Sequence, residues 1–411
     1  MSLQTDAKAI ALAAVAAADP YENTKNALEE LGDLPNLHVL ALGKAASPMA
    51  RAAVACYGEK IRSGLLITKY GHAGDFAAPR FRVMEAAHPV SDDNSRLAAE
   101  AALDLCRPLT QGDTLLVLLS GGGSALMESA RVPDALQRDI TKKLLARGAD
   151  IREMNAVRRG LSHVKGGRLA AAAYPARVVT LALSDVPGSE PADIASGPTV
   201  PDTTGPAVLD AVVNRCLFDV PQEILTLLYR RPETKINNGG FFIVGDVRLL
   251  AEGAKAAAEK LGYHAEIVTT RLSGEARDAA VRLLDETPLL PGKRAYIHAG
   301  ETTVTLRGTG RGGRNQEMAL AAALRLRGTE NTVFLAMGSD GTDGPTDAAG
   351  GIADGETAEK MRLSGIDPEK ALENNDSYPA LASADALLVT GPTGTNVNDL
   401  VLILTDQKES L

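Results

Sequence analysis

The sequence predicts an α/β protein made of two lobes. Short, almost wholly apolar runs alternate with helical stretches, a pattern typical of parallel strands covered by helices on both faces. The chain has 411 residues, and roughly 150 residues per domain favours two or three domains. Apolar periodicity is lost around residues 229–240, which predicts a linker there. We therefore expect an N-terminal domain over residues 1–235 and a C-terminal domain over 236–411.

The predicted strands fall into one group per domain. In the first half they cover residues 37–42, 64–68, 81–86, 114–119 and 178–183. The run 114–119 is apolar after its first residue, which predicts a central strand. In the second half the strands cover 241–244, 265–268, 295–298, 302–306, 332–337, 386–389 and 400–404, with a helix over 315–326. A cleft between the lobes is the default ligand site.

Composition excludes several classes of protein. A hydrophobic fraction of 45% excludes a disordered chain. Aromatic residues make up 3%, and the net charge is −9, which together disfavour binding to nucleic acid polymers. No apolar run approaches the roughly 18 residues of a membrane span. The three cysteines lack metal-binding spacing, which favours a reducing compartment and predicts a cytoplasmic protein. Homo-oligomerisation is left open.

Glycine is abundant, with 39 residues, and most glycine clusters follow a predicted strand. They lie at residues 43, 120–124, 308–313, 338–344 and 391–395. Glycine at such places lets backbone N–H groups approach a phosphate closely. Tight β–α turns are the alternative interpretation of any single cluster. Residues 308–313 match G-x-G-x-x-G, but no strand ending in Asp or Glu follows about 20 residues later, which disfavours a dinucleotide site.

Two cations stand at the start of predicted helices. Lys44 and Arg314 would each oppose the helix dipole unless an anion binds there. Alternatively, each side chain points outward or pairs with a nearby carboxylate, as Arg314 could with Glu317. A basic helical region follows residue 140, and residues 158, 162 and 165 share one face at helical spacing. This face binds anions or is a solvated basic surface.

Candidate metal ligands and bases lie in two acidic loops. Asp185 follows the strand 178–183, and the loop 338–347 carries Asp340 and Asp343. Mg²⁺ prefers one or two carboxylates together with phosphate oxygens and water. Asx-turns suit Asp before Gly equally well. His72 and His88, near strand ends, are interpreted as turn residues rather than catalysts.

Together these segments resemble the class II glycerate kinases, the glycerate 2-kinase family with a MOFRL domain. The matching stretches occur in the family's order and span nearly the whole chain. They cover residues 43–46, 119–126, 155–159, 165–170, 184–186, 196–199, 300–304, 312–317, 339–344 and 391–399.

The resemblance implies a Rossmann-like N-terminal domain that faces a MOFRL domain across an active-site cleft. It implies ATP-dependent phosphorylation of D-glycerate at the 2-hydroxyl, with Mg²⁺, to give 2-phosphoglycerate. The family's proposed key lysine and arginine correspond to Lys44 and Arg314. An NAD(P)H-dependent hydroxypyruvate reductase is the alternative enzyme, and a sugar-acid-binding protein without turnover is the alternative outside catalysis.

Site roles follow from this hypothesis. Lys44 and Arg314 would stabilise charge on the transferring phosphoryl group, with Asp185 as the first candidate for the base. Mg²⁺ would be held by Asp185 or by the loop that carries Asp340 and Asp343. Substrate and phosphate oxygens would bind to a larger set of residues, namely Ser120, Gly121, Gly122, Gly123, Ser124, Asn155, Arg158 or Arg159, Gly312 and Gly313.

Overall fold

A computed structural model describes residues 2–186, 188–230 and 235–408. The chain divides into two compact units. The N-terminal unit covers residues 20–244, and the C-terminal unit covers 245–411 together with residues 1–19. The predicted limit between residues 235 and 236 thus precedes the division by nine residues, and part of the predicted linker, residues 231–234, lies outside the described residues.

The first helix, α1 (Leu3–Ala17), belongs to the C-terminal unit, although the sequence assigned it to the N-terminal domain. It packs against a helix that begins at Val247. Gly253 of that helix has no room for a side chain, because a Cβ would lie 2.5 Å from the Cβ of Ala17. Close packing of two small-residue helices therefore attaches the start of the chain to the second core.

The N-terminal unit is a six-stranded sheet with helices. Its elements are α2 (Pro20–Leu31), β1 (Leu37–Leu42), α3 (Ala46–Tyr57), β2 (Ile61–Lys69), β3 (Phe81–Ala86), α4 (Asp93–Cys106), β4 (Thr114–Leu119), α5 (Gly123–Leu126), α6 (Asp134–Ala146), α7 (Ile151–Gly160), α8 (Arg168–Ala173), β5 (Arg177–Leu183), α9 (Pro206–Cys216), α10 (Gln222–Tyr229) and β6 (Asn237–Gly245).

The strand order is β3-β2-β1-β4-β5-β6. The first five strands in this order are all parallel, each to the next. All six residues of β4 are buried, and β4 pairs with both β1 and β5, which confirms the predicted central strand. Leu115, Val117 and Leu119 of β4 pack with residues of α4 and α8 in one apolar cluster. An apolar strand covered by helices is the arrangement that the alternating pattern predicted.

The C-terminal unit holds a mixed sheet. Its elements after α1 are α11 (Val247–Lys260), β7 (His264–Leu272), α12 (Ala276–Glu286), β8 (Gly292–Gly300), α13 (Arg314–Arg325), β9 (Thr332–Gly338), β10 (Gly350–Asp354), α14 (Thr357–Leu363), α15 (Pro368–Glu373), α16 (Ser377–Ser383), β11 (Leu387–Leu388) and β12 (Asp399–Gln407). The order is β11-β10-β9-β12-β8-β7, and β12 runs antiparallel to both β8 and β9.

In the described part of this unit, one predicted strand is absent, and one strand was not predicted. Residues 302–306 form no strand beyond an isolated bridge at Thr303, because the backbone N–H of Thr305 donates to the Glu275 carboxylate instead of to a neighbouring strand. Strand β10 was missed, since glycine at its start favours a turn. Gly350 is needed there because a Cβ would lie 1.9 Å from the carbonyl oxygen of Ala336 on β9.

None of the helices within residues 2–186, 188–230 and 235–408 combines the length and apolarity that crossing a bilayer requires.

His298 on β8 predicts acid sensitivity of folding. It is 3% exposed, neither ring nitrogen has a hydrogen-bond partner among the described residues, and burial lowers its pKa to about 4. The unfolded chain therefore binds a proton at pH values where the folded chain does not. We expect about 3 kcal/mol of unfolding free energy to be lost as the pH falls from about 6.5 to about 4.

Urea unfolding measured across this pH range tests the prediction. His298→Leu removes the titrating group, so its unfolding free energy should fall less with acid than that of the wild type. His264→Leu, at an exposed position of β7, should keep the wild-type pH dependence. If the unfolding free energy of His298→Leu fell with acid as much as that of the wild type, His298 would not be the cause of the acid sensitivity.

Candidate active site

The N-terminal unit gathers polar loops where its parallel strands end. The loops after β3, β2, β1, β4 and β5 lie along one edge of the sheet. From β1 the chain continues to β2 on one side, and from β4 it continues to β5 on the other. Open α/β sheets bind ligands at such a switch point. Gly43 and Lys44 follow β1 there, and residues 120–124, hereafter the glycine loop, follow β4.

Backbone contacts fix Lys44 to the glycine loop. The Lys44 N–H donates to the carbonyl oxygen of Gly121 at 2.9 Å, and the Ala45 N–H donates to Ser120 Oγ at 3.0 Å. Gly43 has φ +125°, and a Cβ on it would lie 2.2 Å from Ser120 Oγ. Glycine at 43 therefore permits the close approach that positions Lys44, whose half-buried side chain forms no ion pair with the described residues.

Asp185 lies directly against the glycine loop. A Cβ added to Gly121 would be 2.0 Å from Asp185 Oδ2, so only glycine admits the carboxylate at this position. The loop after β4 and the carboxylate after β5 are thereby brought together, as expected for neighbouring parallel strands. A partly exposed carboxylate beside free backbone space is suited to accept a proton or to ligate a cation.

Ser124 and Asn155 contact one segment between β5 and α9. Ser124 Oγ is 2.8 Å from Ser196 Oγ, and Asn155 Nδ2 donates to Asp193 Oδ1 at 3.3 Å. The glycine loop also packs on this segment, since a Cβ on Gly123 would lie 2.8 Å from the Cβ of Ala195. Ser124 of the glycine loop and Asn155 therefore contact the same segment, which places Asn155 near this loop.

The predicted basic helical face was wrong. Helix α7 ends at Gly160, so Ser162 and Lys165 lie in the following turn and do not continue the face of Arg158. Lys165 is buried in an ion pair with Glu128. Arg159 is also buried and pairs with Asp193 at 3.2 Å and Asp202 at 3.1 Å. Arg159 is thus engaged by carboxylates, whereas Arg158 stays half-buried beside them.

In the C-terminal unit, Arg314 is the first residue of α13 and is held by two carboxylates. Its Nε and one terminal nitrogen donate to Asp399 at 2.5 and 2.9 Å. The other terminal nitrogen donates to Glu301 at 2.6 Å. The Asp399 side chain is 3% exposed, while that of Arg314 is 34% exposed. Glu317, the partner considered from the sequence, pairs with Arg277 instead.

Sheet register explains how these distant residues meet. Asp399 begins β12 and is level with Gly300, the last residue of β8, and with Gly338, the last residue of β9. Because β8 and β9 both run opposite to β12, their carboxyl ends and the amino end of β12 share one edge. Glu301 and Ser339 follow those two strands directly. Both carboxylate partners of Arg314 and the loop 338–347, hereafter the acidic loop, therefore lie at this edge.

Burial and pairing act in opposite directions on this ion pair. Burial raises the pKa of Asp399 to about 6, although the hydrogen bonds and charge of Arg314 lower it. Burial also lowers the pKa of Arg314, but Asp399 and Glu301 raise it further above its usual value. At pH 7 both groups are therefore charged, and the guanidinium is held in one orientation by the two-point contact.

Asp343 and Asp340, the two predicted metal ligands of the acidic loop, make different contacts. Both oxygens of Asp343 accept backbone N–H groups at the start of α13, from Asn315 at 3.2 Å and Gln316 at 2.8 Å. Asp340 Oδ1 accepts from the Thr342 N–H at 3.0 Å and from its hydroxyl at 3.1 Å, the Asx-turn that the sequence allowed. Asp343 thus caps the helix that carries Arg314, and Asp340 keeps its second oxygen for another ligand.

The G-x-G-x-x-G segment packs against the turn between α15 and α16. A Cβ on Gly308 would lie 2.2 Å from Asn374 Oδ1, and one on Gly312 would lie 2.0 Å from Ser377 Oγ. The N–H groups of Gly308 and Thr309 already donate to Asn375 and Asn374 side chains. Packing accounts for these glycines, which weakens the dinucleotide interpretation further. Gly313 similarly contacts Asp343 at the start of α13.

Sequence reasoning assigned no role to several residues at these two edges. Asp399 and Glu301 stood within quoted motifs, yet neither was connected to Arg314. Lys69 and His88, at the ends of β2 and β3, were passed over or interpreted as turn residues. The sequence does place Glu301 directly after one predicted strand and Asp399 just before another. Only the strand order shows that these two strands are neighbours and that the two carboxylates therefore meet.

Within the described residues, no three or more His, Cys, Asp or Glu side chains are grouped as a metal site. Mg²⁺ bound with a nucleotide does not need such a group, because phosphate oxygens and water complete its shell.

Two family profiles match different parts of the chain. Residues 6–229 match the family profile described as a domain of unknown function, DUF4147, and residues 294–399 match the MOFRL family. A D-glycerate 2-kinase of Thermotoga maritima is 42% identical over 98% of both chains. The chain belongs to the class II glycerate kinase family. The crystal structure of a glycerate kinase from T. maritima matches at 41% identity, with a TM-score of 0.92 over 98% of this chain and 99% of that one.

Other relatives carry two names. A glycerate 2-kinase of Pyrococcus horikoshii is 39% identical over 96% of both chains. A protein of Agrobacterium vitis, provisionally named a hydroxypyruvate reductase, is 41% identical over 95% of this chain and 92% of its own. Both names thus occur at similar identity within the class II glycerate kinase family, and the residues of the site must distinguish them.

Proposed function

We propose that the protein transfers the γ-phosphoryl group of ATP to the 2-hydroxyl of D-glycerate, giving 2-phosphoglycerate and ADP. The observation that carries the proposal is the full-length match with the D-glycerate 2-kinase of T. maritima. Unpaired or partly engaged cations at the two sheet edges supply the charge that phosphoryl transfer needs. The cytoplasm stays the predicted location, since ATP is the second substrate.

Lys44 and Arg314 are the proposed stabilisers of the transferring group. Arginine has five N–H donors, and the bonds to Asp399 and Glu301 use three of them. The remaining two, one on each terminal nitrogen, can bind phosphoryl oxygens. Lys44 has no carboxylate partner among the described residues, so its ammonium is available to the same charge.

Asp185 is the proposed base, and the glycine loop with Asn155 and Arg158 is the proposed glycerate site. The close approach of Asp185 to Gly121 supports this, because it places a carboxylate directly against the glycine loop. Asp185 would accept the proton of the 2-hydroxyl while Ser120 and Ser124 orient the substrate. Gly312 and Gly313 stay candidates for nucleotide phosphate binding, since α13 begins at the next residue.

Mg²⁺ fits two of the three predicted carboxylates. Asp185 lies in a space that a Cβ on Gly121 would fill, and Asp340 has one oxygen that accepts no hydrogen bond from the described residues. Asp343 fits less well, because both of its oxygens cap α13. With ATP bound, Mg²⁺ would neutralise phosphate charge. We propose either Asp185 or Asp340 as the residue that holds it and Asp343 as a positioning residue.

Asp399→Asn should lower kcat about tenfold or more at pH 7.5, because a neutral amide no longer fixes the charged guanidinium. In the wild type, protonation of Asp399 below its pKa of about 6 should weaken the same contact, so kcat should decline with acid. The variant should lack that part of the decline. Steady-state kinetics from pH 5 to 8, followed by ADP release, measure both effects.

Glu301→Gln is the matched comparison. It removes a more exposed partner of Arg314, with a side chain 45% exposed, and exposed ion pairs contribute little. We expect a smaller loss of kcat than in Asp399→Asn. Equal losses in both variants, or an unchanged acid decline in Asp399→Asn, would contradict the role given to Asp399.

A hydroxypyruvate reductase is the second candidate, favoured by the name of the A. vitis relative. Its dinucleotide would need the segment 308–313, whose glycines and N–H groups are used in packing. Parallel assays separate the two. We expect ADP release that depends on D-glycerate and no NADH or NADPH oxidation with hydroxypyruvate. The reverse result would replace the kinase by the reductase.

A further inference from the structure

Four basic side chains follow three adjacent strands of the N-terminal unit. Lys44 follows β1, Lys69 ends β2, and His72 and His88 follow β2 and β3. The strands are parallel, with Leu42 level with Ile67 and Lys69 level with Ala86. Continuing this register places Lys69 level with Lys44. His88 comes two residues after Ala86, the residue of β3 that is level with Lys69. The sheet edge thus presents two lysines, after β1 and at the end of β2, and two histidines beside the glycine loop.

The two lysines have no carboxylate in direct contact among the described residues. Neither Lys44 nor Lys69 forms an ion pair within the described part of the chain. Of the nearby acids, Glu85 accepts the N–H groups of Gly71 and Ala73, and Asp92 accepts from Tyr70 and caps α4. Uncompensated cations this close together are unfavourable unless an anion binds between them.

His88 closes this group against the glycine loop. A Cβ on Gly122 would lie 3.1 Å from His88 Cδ2, 3.3 Å from His88 Nε2 and 3.4 Å from Lys44 Cγ. Burial, with smaller contributions from the charges of Lys44, Lys69 and His72, lowers the pKa of His88 to about 4. The imidazole is neutral at pH 7, with one nitrogen that donates a hydrogen bond and one that accepts.

We propose that Lys69 and His88, together with Lys44, form an oxyanion subsite at the Gly122 end of the glycine loop. The inference rests on the proposed function, which supplies two oxyanions: the glycerate carboxylate and the nucleotide phosphates. Arg159 is already paired with Asp193 and Asp202, so a substrate anion at the glycine loop needs another cation. Lys69 supplies the charge, and His88 donates a hydrogen bond.

Direct binding to the full-length chain tests the subsite. Calorimetry with D-glycerate alone and with ADP alone gives the affinity of each ligand for the wild type, Lys69→Gln and His88→Gln. We expect both variants to weaken the same ligand about tenfold or more. Weaker D-glycerate binding assigns the subsite to the carboxylate, and weaker ADP binding assigns it to phosphate. Lys69→Arg keeps the charge and should largely retain affinity.

The matched control is Lys60→Gln. Lys60 directly precedes the other end of β2 and pairs with exposed Asp33, so its replacement should change neither affinity. Thermal unfolding of each variant shows that it is folded. The subsite is overturned if folded Lys69→Gln and His88→Gln bind both ligands as the wild type does, if they weaken different ligands, or if the wild type binds neither. A wild type that binds but releases no ADP would overturn the kinase proposal alone.

Discussion

Arg314→Gln should lower kcat by about 100-fold or more while changing the KM for D-glycerate little, because the arginine acts on charge that develops in the transition state. Two N–H donors of the guanidinium stay available after Asp399 and Glu301 have bound the other three. Glutamine keeps a polar side chain but cannot supply the positive charge. Steady-state kinetics with purified, folded protein measure the loss.

The variant must be separated from a folding defect. Removing Arg314 leaves Asp399 buried and unpaired, which costs about 3–5 kcal/mol in comparable buried pairs. The double variant Arg314→Gln/Asp399→Asn removes both charges, so it should recover stability without recovering kcat. Arg311→Gln, which removes an exposed guanidinium stacked on Tyr378, is the control in the same loop. Recovery of kcat in the double variant, or a wild-type kcat in folded Arg314→Gln, would remove Arg314 from the mechanism.

Lys44→Met is the second substitution with a large expected effect. We expect kcat to fall about 100-fold with little change in unfolding free energy. The backbone of Lys44 makes the hydrogen bond to the glycine loop, and no carboxylate among the described residues loses a partner. Methionine keeps the aliphatic length without the charge, so packing is preserved.

Arg51→Met provides the comparison for Lys44→Met. Arg51 lies on α3, the helix that follows Lys44, and pairs with exposed Asp75, so kcat should be unchanged. Chemical denaturation of both variants should give similar midpoints. If Lys44→Met kept the wild-type kcat, the ammonium would have no part in phosphoryl transfer.

Parallel strands in the N-terminal unit could be predicted because burial on both faces leaves an uninterrupted apolar run. Each predicted strand from 37–42 to 178–183 lies within β1 to β5. In the C-terminal unit the same signal failed at β10, whose two initial glycines serve close approach to β9 and α13. Local pattern cannot distinguish such a glycine from one in a turn.

The importance of Lys44 and Arg314 could be predicted from their positions in the sequence, but the carboxylate partners of Arg314 could not. The helix-dipole argument selected Lys44 and Arg314 from local sequence alone. Arg314 was then considered with Glu317, three residues away, whereas its partner Asp399 lies 85 residues further along. Only the pairing of β12 with β8 and β9 brings that carboxylate to the arginine. Strand order is a property of the whole fold and leaves no local trace.

The same holds for the N-terminal helix. Its alanine-rich sequence predicts a helix, but nothing local indicates which core it joins. The structure packs α1 on α11 of the C-terminal unit, more than 200 residues later in the chain. A single boundary drawn where apolar periodicity is lost cannot assign α1 to a core formed by residues so far along the chain.

The central claim is that the chain phosphorylates D-glycerate at its 2-hydroxyl. Incubation with D-glycerate and MgATP, coupled to enolase in the absence of phosphoglycerate mutase, tests it most directly. Phosphoenolpyruvate should form immediately, since enolase uses 2-phosphoglycerate. Signal that appears only after mutase is added would show phosphorylation at the 3-hydroxyl and contradict the claim. No ADP release under either condition would contradict kinase activity altogether.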